Sequence, residues 1–473
     1  MTSFRALPSV DRVVAALKER NLDHNGPDPN GPDPIGRQNT LMTAAARRAI
    51  DRARDQVRAG EAPPPFEAVV ADARALFESD RQDSLRRVVN ATGVIVHTNL
   101  GRVPLGRGQL DAIEAAATSY SNLEYDVAAG TRGSRYTHAA AALAKLTGAE
   151  SAVVVNNNAA AVLLVLAALA GGKDVIASRG ELVEIGGEFR IPDVMGISGA
   201  RLVEVGTTNR THIADYERAI TDRTAVILKV HQSNYRMVGF TADVSPRELA
   251  KLAHGRKLWF VHDVGSGLVM PDRPAPWLGD EPTVEDSIAE GADVVTFSGD
   301  KLFGGPQAGI VVGRSRAIQK VSTHPLLRAL RPDKMTLAAV AATALAYLEG
   351  EAGELPLWSM ALAPLDGLER RASRMAERIV ERGKGAGISA EAISSVAVSG
   401  GGSLPGTEIE SWAVTIAHPA KSAAEIDRAL RSARSPVIAR VEDDRVILDV
   451  RTIRPDEDEL VAELVAGALG APA

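Results

Sequence analysis

Lys301 stands in the stretch Thr296-Phe-Ser-Gly-Asp-Lys301-Leu-Phe-Gly-Gly-Pro-Gln-Ala-Gly309, where one apolar run ends in Ser298 and Gly299 and another follows closely. A lysine at the mouth of a buried strand can have a lowered pKa and act as an amine nucleophile. Taken alone, such a lysine is more often a solvated loop residue. A second group lies upstream, where an apolar run ends in His262-Asp263-Val264-Gly265-Ser266-Gly267. A carboxylate at a strand's carboxyl end can pair with a pyridinium nitrogen and keep that ring an electron sink. Taken alone, Asp263 is more often a turn or helix cap. A third group, Val155-Asn156-Asn157-Asn158-Ala159-Ala160, joins an apolar run to an apolar helix. Small residues at a helix start present N–H groups to an anion such as phosphate, although asparagine there is also an ordinary N-cap. The order phosphate loop, aspartate, lysine at successive strand ends favours one cofactor site over three unrelated caps and loops.

The elements that must hold these groups are legible as periodicity. Continuous apolar runs predict strands at 151–155, 174–177, 201–205, 225–230, 258–263, 293–298 and 309–313, with helical stretches between several of them. Strands apolar throughout are covered on both faces. The alternation predicts a mostly parallel sheet wrapped by helices, with ligands at the strands' carboxyl ends. The first 86 residues read as a separate helical unit, with helices at about 10–20, 40–58 and 66–77. Between the first two lies a tandem Asn-Gly-Pro-Asp-Pro repeat at 25–34, which predicts a loop insertion. After about His324 the pattern changes to a long helix at 335–349 and a smaller α+β unit. That unit carries a hairpin around Asp443 and Asp444 and a final helix at 456–469. The expected domains are therefore 1–86, 87–322 and 323–473.

The chain has 473 residues, no cysteine and a net charge of −6. Disulfides, thiolate metal sites and a cysteine nucleophile are excluded, and no metal is expected. No apolar h-region opens the sequence, and the longest apolar run, 159–170, is too short to span a bilayer, so a cytoplasmic protein without a membrane partner is expected. The first 86 residues hold 13 basic and 13 acidic side chains, which leaves the whole acidic surplus to the rest. Within the second predicted helix, Arg47, Arg48, Arg52, Arg54 and Arg58 are interspersed only with Asp51 and Asp55. Arg47, Arg54 and Arg58 share a helical face by spacing. That face is either a stripe for nucleic-acid phosphates or an ordinary solvated surface.

The sequence resembles the bacterial selenocysteine synthases, the L-seryl-tRNA(Sec) selenium transferases. The resemblance is carried by Arg87-Val-Val-Asn-Ala-Thr-Gly-Val-Ile-Val-His-Thr-Asn-Leu-Gly-Arg102, Tyr120-Ser-Asn-Leu-Glu-Tyr-Asp126, Gly130-Thr-Arg-Gly-Ser-Arg135, Asn156-Asn-Asn-Ala-Ala-Ala161, Lys229-Val-His-Gln-Ser-Asn-Tyr235 and the Lys301 segment. It spans almost the whole chain; the repeat at 25–34 departs from it.

The resemblance implies a pyridoxal 5'-phosphate enzyme of fold type I, with a mostly parallel seven-stranded sheet, a small C-terminal α+β domain and an N-terminal helical domain. It implies Lys301 as the cofactor lysine, held as an aldimine, and as the base at Cα. Asp263 becomes the ring-nitrogen partner, and Asn156, Asn157, Asn158 and Ala159 the phosphate loop, with Ser298 an added contact. Asp300 is a catalytic partner, and Arg102, Arg328 and Arg331 hold the phosphate of selenophosphate. Arg328 and Arg331, three apart, would share a face if helical, although Pro325 and Pro332 flank them. The implied reaction converts seryl-tRNA(Sec) through an aminoacrylyl intermediate to selenocysteinyl-tRNA(Sec). The implied assembly is a homo-oligomer, a dimer at least and a ring of dimers by family, with tRNA recognition in the N-terminal unit. Two other readings share some of these residues: a fold type I lyase acting on a small molecule, and a non-catalytic tRNA-binding scaffold. The N-terminal unit and the selenophosphate arginines argue against the first, and intact Lys301 and Asp263 against the second.

Overall fold

Alternating apolar strands and amphipathic helices dictate two compact units, 1–87 and 88–473, in the computed structural model of the chain. The structure describes residues 7–20, 37–81, 84–185, 189–270 and 272–470. The repeat at 25–34 lies outside the described residues.

Among the described residues, the first unit has three helices, α1 (Val10–Arg20), α2 (Arg37–Arg58) and α3 (Phe66–Arg81). Val13 and Leu17 of α1, Ala46, Ile50 and Ala53 of α2, and Val70, Ala73 and Phe77 of α3 close on one another in a single core. That pattern follows the three- and four-residue spacing of apolar positions on each helix. The opposite face of α2 carries its arginines to the surface.

The second unit is built on seven strands: β1 (Ser151–Val155), β2 (Asp174–Ser178), β3 (Arg201–Val205), β4 (Thr224–Val230), β5 (Trp259–Gly265), β6 (Val294–Ser298) and β7 (Gly309–Gly313). Their order across the sheet is β1-β7-β6-β5-β4-β2-β3. All pairings are parallel except those of β7, which runs antiparallel to both neighbours. Alternation along the strands sends Val153, Val226, Val261, Val294 and Val311 into one core. It sends Val154, Ile227, Phe260, Val295 and Ile310 into the other. Both faces are therefore buried, which explains why the strands read as unbroken apolar runs. Helix α4 (Asn158–Ala170) lies on the Val261 side.

The chain enters this unit through its C-terminal part. Val89–Asn90 pairs in parallel with Val437–Ile438, and Val89 and Ala91 sit in the C-terminal core. There β8 (Ser389–Gly400), β9 (Ser403–Ala417), β10 (Arg440–Glu442) and β11 (Arg445–Asp449) form an antiparallel sheet in the order β8-β9-β11-β10. The hairpin expected at Asp443 and Asp444 is the β10–β11 turn, where both residues take positive φ. Helices Leu365–Arg382 and Asp458–Ala468 cover the sheet.

Candidate active site

Strand geometry puts three of the chemical groups in one place. Asp263 has the parity of Val261, so its side chain points toward α4. The first residue of that helix, Asn158, donates to the Asp263 carboxylate from Nδ2 at 2.8 Å. Thr296 is the cross-strand partner of Asp263 on β6, and its hydroxyl donates to the same Oδ1 at 2.9 Å. Asp263 is 3% exposed. Burial drives its carboxyl up from the ordinary range, and the two hydrogen bonds pull the other way. Hydrogen bonds to a charged group contribute roughly 1.5–3 kcal/mol each, so this pair favours the anion against burial, as does Lys301 nearby.

Lys301 follows β6 in a turn fixed on both sides. Gly305 N–H donates to the Gly299 carbonyl and Gly299 N–H to the Ala308 carbonyl, both at 2.8 Å. Leu302 N–H donates to the Ser266 carbonyl at 2.9 Å, and Leu302 and Phe303 are buried. The lysine itself is 4% exposed. Its Nζ donates to the Gly402 carbonyl at 3.1 Å. Burial, and then the nearby Arg102 guanidinium, lower its pKa, while Asp263, Asp300 and Glu281 oppose that shift. The lysine and the aspartate are thus both pushed toward their neutral forms, as a dry pocket requires when no further charge is present.

Gly402 comes from the β8–β9 turn, a hundred residues downstream. Gly400, Gly401 and Gly402 all take positive φ there, and a Cβ on Gly402 would lie 3.4 Å from Nζ. The run of three glycines was the only sequence signal for this contact. Arg102, itself at φ 68, donates from Nη1 to the Gly401 carbonyl at 2.9 Å. Its Nε lies 3.3 Å from Asp300 Oδ2. Arg102, Asp300 and Lys301 therefore meet at the hairpin tip.

The asparagine loop divides its tasks. Asn157 is the N-cap of α4, accepting from Ala160 N–H at 2.9 Å, while Asn158 serves Asp263. Among the described residues, the N–H groups of Asn158 and Ala159 have no hydrogen-bond partner, so the helix start can take an anion. Asn158 Oδ1 is also buried without a partner. A Cβ on Gly309 would lie 2.0 Å from the Asn157 carbonyl, so only glycine lets β7 pass beneath this loop. Ser298 ends β6, 8% exposed.

Arg328 and Arg331 line a cavity of about 390 Å³ together with Arg132, Arg135 and Tyr136. They do not share a helical face. Helix Leu327–Leu330 lasts one turn between Pro325 and Pro332, and Arg331 is its C-cap with extended backbone. Arg135 pairs with Glu124 at 2.6 Å, and Arg132 pairs with the same carboxylate at 3.3 Å. The cavity is thus strongly cationic and suited to a phosphate-like anion. It touches the asparagine loop through Asn156 N–H, which donates to the Leu330 carbonyl at 3.0 Å. The motif holding Arg132 and Arg135 was visible in the sequence, but its role was not.

On α2, Arg54 and Arg58 pair with Asp51 and Asp55 within the helix. Arg48 and Arg52 pair with Asp80 and Asp72 of α3, so the helix's own two acids are not their only counter-charges. Arg47 is exposed and makes no ion pair among the described residues.

A family model described as SelA, L-seryl-tRNA selenium transferase, matches residues 88–454. The L-seryl-tRNA(Sec) selenium transferase of Moorella thermoacetica is 45% identical over 470 residues, covering 98% of this chain and 97% of that one. The protein of the same name from Geobacter sulfurreducens is 44% identical over 467 residues, 97% of each chain. Among solved structures, D-glucosaminate-6-phosphate ammonia-lyase aligns with a TM-score of 0.56 at 20% identity, covering 81% of this chain and 96% of that one. This last likeness concerns the fold, which is that of the pyridoxal-phosphate-dependent fold type I enzymes.

Proposed function

Since the chain belongs to the SelA family of L-seryl-tRNA selenium transferases, we propose that it converts seryl-tRNA(Sec) to selenocysteinyl-tRNA(Sec), with selenophosphate as the selenium donor. It does so at Lys301, as a cytoplasmic homo-oligomer. The observation that carries this reading is a buried lysine and a buried aspartate at the ends of adjacent strands, in a chain alignable along nearly its whole length with named transferases.

The residues present fit pyridoxal 5'-phosphate. The unpartnered N–H groups at the start of α4 suit its phosphate, Asp263 its ring nitrogen, and Lys301 its aldehyde carbon. When bound, the cofactor supplies a carbonyl that captures amines and a ring that stores the electron pair released at Cα.

The chain's own groups do the rest. Lys301, whose pKa is lowered by burial and by Arg102, would hold the cofactor through its amine and would serve as the base at the substrate's Cα. Asp263, oriented by Asn158 and Thr296, would face the ring nitrogen and, ionised there, would favour a proton on it. Asn156, Asn157, Asn158, Ala159 and Ser298 form the phosphate cradle. Asp300 and Arg102 sit beside the lysine, placed to handle the departing hydroxyl and the incoming donor. Arg328 and Arg331 offer planar forks for the phosphate of selenophosphate. The N-terminal unit meets the tRNA through Arg47, Arg54 and Arg58.

The test is a borohydride-trapped peptide map of the cofactor-loaded protein, followed by assay with seryl-tRNA(Sec) and selenophosphate. Label at Lys301 and selenium in the tRNA fraction are expected. Label at Lys301 without any tRNA product, together with elimination from small free substrates, would transfer the chain to the lyase reading. Within the assay, Arg328→Ala with Arg331→Ala should spare hydroxyl release and lose selenium transfer. Equal loss of both halves would contradict that division.

A further inference from the structure

A cleft of about 560 Å³ opens beside the Lys301 pocket, and none of the residues given a role above lines it. Two of its walls are nevertheless segments that also touch that pocket. His231 N–H donates to the Asp263 carbonyl at 2.9 Å, while His231, Gln232 and Tyr235 line the cleft. Gly402 holds Lys301, while Leu404, Pro405 and Thr407 of the same hairpin line the cleft. Whatever occupies the cleft is therefore a neighbour of whatever reacts at Lys301.

The lining is chemically mixed in a particular way. Glu281 is 5% exposed. Its Oε2 lies 3.2 Å from His231 Nε2, and its Oε1 is buried with no hydrogen-bond partner. A buried acceptor left open calls for a donor. Trp277 packs on one side against the core that includes Leu278 and Trp358 and lines the cleft as well. Tyr235 is anchored by its hydroxyl, which donates to the Gly180 carbonyl at 2.6 Å. Exposed Arg210 and Arg236 also line the cleft. An aromatic face, an open acceptor and peripheral guanidinium groups are what a nucleoside and its phosphate require. The volume lies within the roughly 300–1,000 Å³ of small-ligand clefts.

An aminoacyl-tRNA carries its amino acid as an ester on the ribose of its terminal adenosine. A seryl group that reaches Lys301 brings that ribose and base with it. We propose that the cleft receives the terminal adenosine of the aminoacyl-tRNA, its base against Trp277, the ribose hydroxyl beside the ester on Glu281 Oε1, and the preceding phosphate toward Arg210 and Arg236. The proposal rests on the selenium transferase reading and adds a subsite to it. Its consequence is that the esterified end of the tRNA is gripped next to the chemistry, whatever holds the body of the tRNA.

The probe is 3'-deoxy-3'-(L-serylamino)adenosine, an amide that does not hydrolyse, titrated calorimetrically into the full-length cofactor-loaded protein. Binding is expected, weakened about tenfold or more by Trp277→Ala, as loss of a stacking face entails. Because Trp277 also packs on the core, Glu281→Gln provides a second variant. It should weaken the probe and have almost no effect on the 2'-deoxy form of the probe, which lacks the hydroxyl assigned to it. Both variants should raise KM for seryl-tRNA more than they lower kcat. Native-like probe affinity in both variants would overturn the proposal. So would an absence of probe binding in a protein that turns over seryl-tRNA. A native protein that makes no selenocysteinyl-tRNA defeats the parent reading and this one together, so the two failures are distinguishable.

Discussion

Lys301 and the arginines of α2 are all basic side chains of one chain, yet water treats them in opposite ways. Lys301 is 4% exposed, and its protonation is set by burial and a few named neighbours. The side chains of Arg54 and Arg58 are 52% and 69% exposed, and their i−3 aspartate partners are 64% and 70% exposed. Around them, salt largely screens charges more than about 8–10 Å away. The first region can change the reactivity of an atom. The second can only add up weak, salt-sensitive attractions, which suits a long polyanion and little else. Difference of solvent, rather than difference of residue type, separates chemistry from adhesion in this molecule.

The comparison breaks most visibly at the lysine. Lys301→Ala should remove the borohydride-trapped adduct and cost about 10²–10⁴-fold in turnover for the proton step alone. Near-native turnover would mean the dry pocket is not where the chemistry happens. Asp263→Asn comes next. It keeps the shape and the Thr296 contact but removes the charge, and should cost roughly 10- to 100-fold, with the melting temperature changed far less than the rate. Parallel loss of stability and rate would make Asp263 a structural cap.

On the wet side, Arg47, Arg54 and Arg58 changed together to Ala should leave cofactor binding untouched and weaken tRNA binding. The salt slope should fall by roughly one unit per lost phosphate contact. An unchanged slope, measured at several salt concentrations, would end the recognition role of this face. The smallest effect is expected from Arg48→Ala and Arg52→Ala. Their ion pairs to α3 are half-exposed, so each should shift stability by less than about 1 kcal/mol in denaturant titration. A larger loss would show that these arginines hold α2 on α3.

Local pattern carried the strands and most helices because each needs only its own residues. Strand limits read from apolar runs at 151–155, 201–205 and 309–313 match those observed, and the helix at 10–20 does too. The α3 helix runs on to Arg81, past its last predicted apolar turn at Phe77, because polar residues continue a helix without any periodic signal. Within the pocket, Lys301, Asp263 and Asn158 were visible as types at strand ends. Thr296 as their fourth member was not, because it depends on which strand lies beside which. The Gly402 contact depends on a subdomain folding back over a hundred residues, and the Arg48 and Arg52 pairs on the packing of two helices. Such contacts leave no mark on the spacing of one element.

The three-glycine tip between β8 and β9 also bears on how this chain can be altered. It is partly exposed and belongs to the C-terminal sheet, so by position it looks like a place where substitutions accumulate freely. Instead, a methyl group at Gly401 would lie 2.6 Å from the Val96 carbonyl, and one at Gly402, where φ is 73, would sit on a backbone that L residues rarely adopt, in contact with the Lys301 amine. In a library of point variants, this surface turn should score with Lys301 and not with the hairpin that carries it. Grafting experiments meet the same constraint, since a foreign C-terminal subdomain would fit the large one only if it brought a side-chain-free tip at the same height.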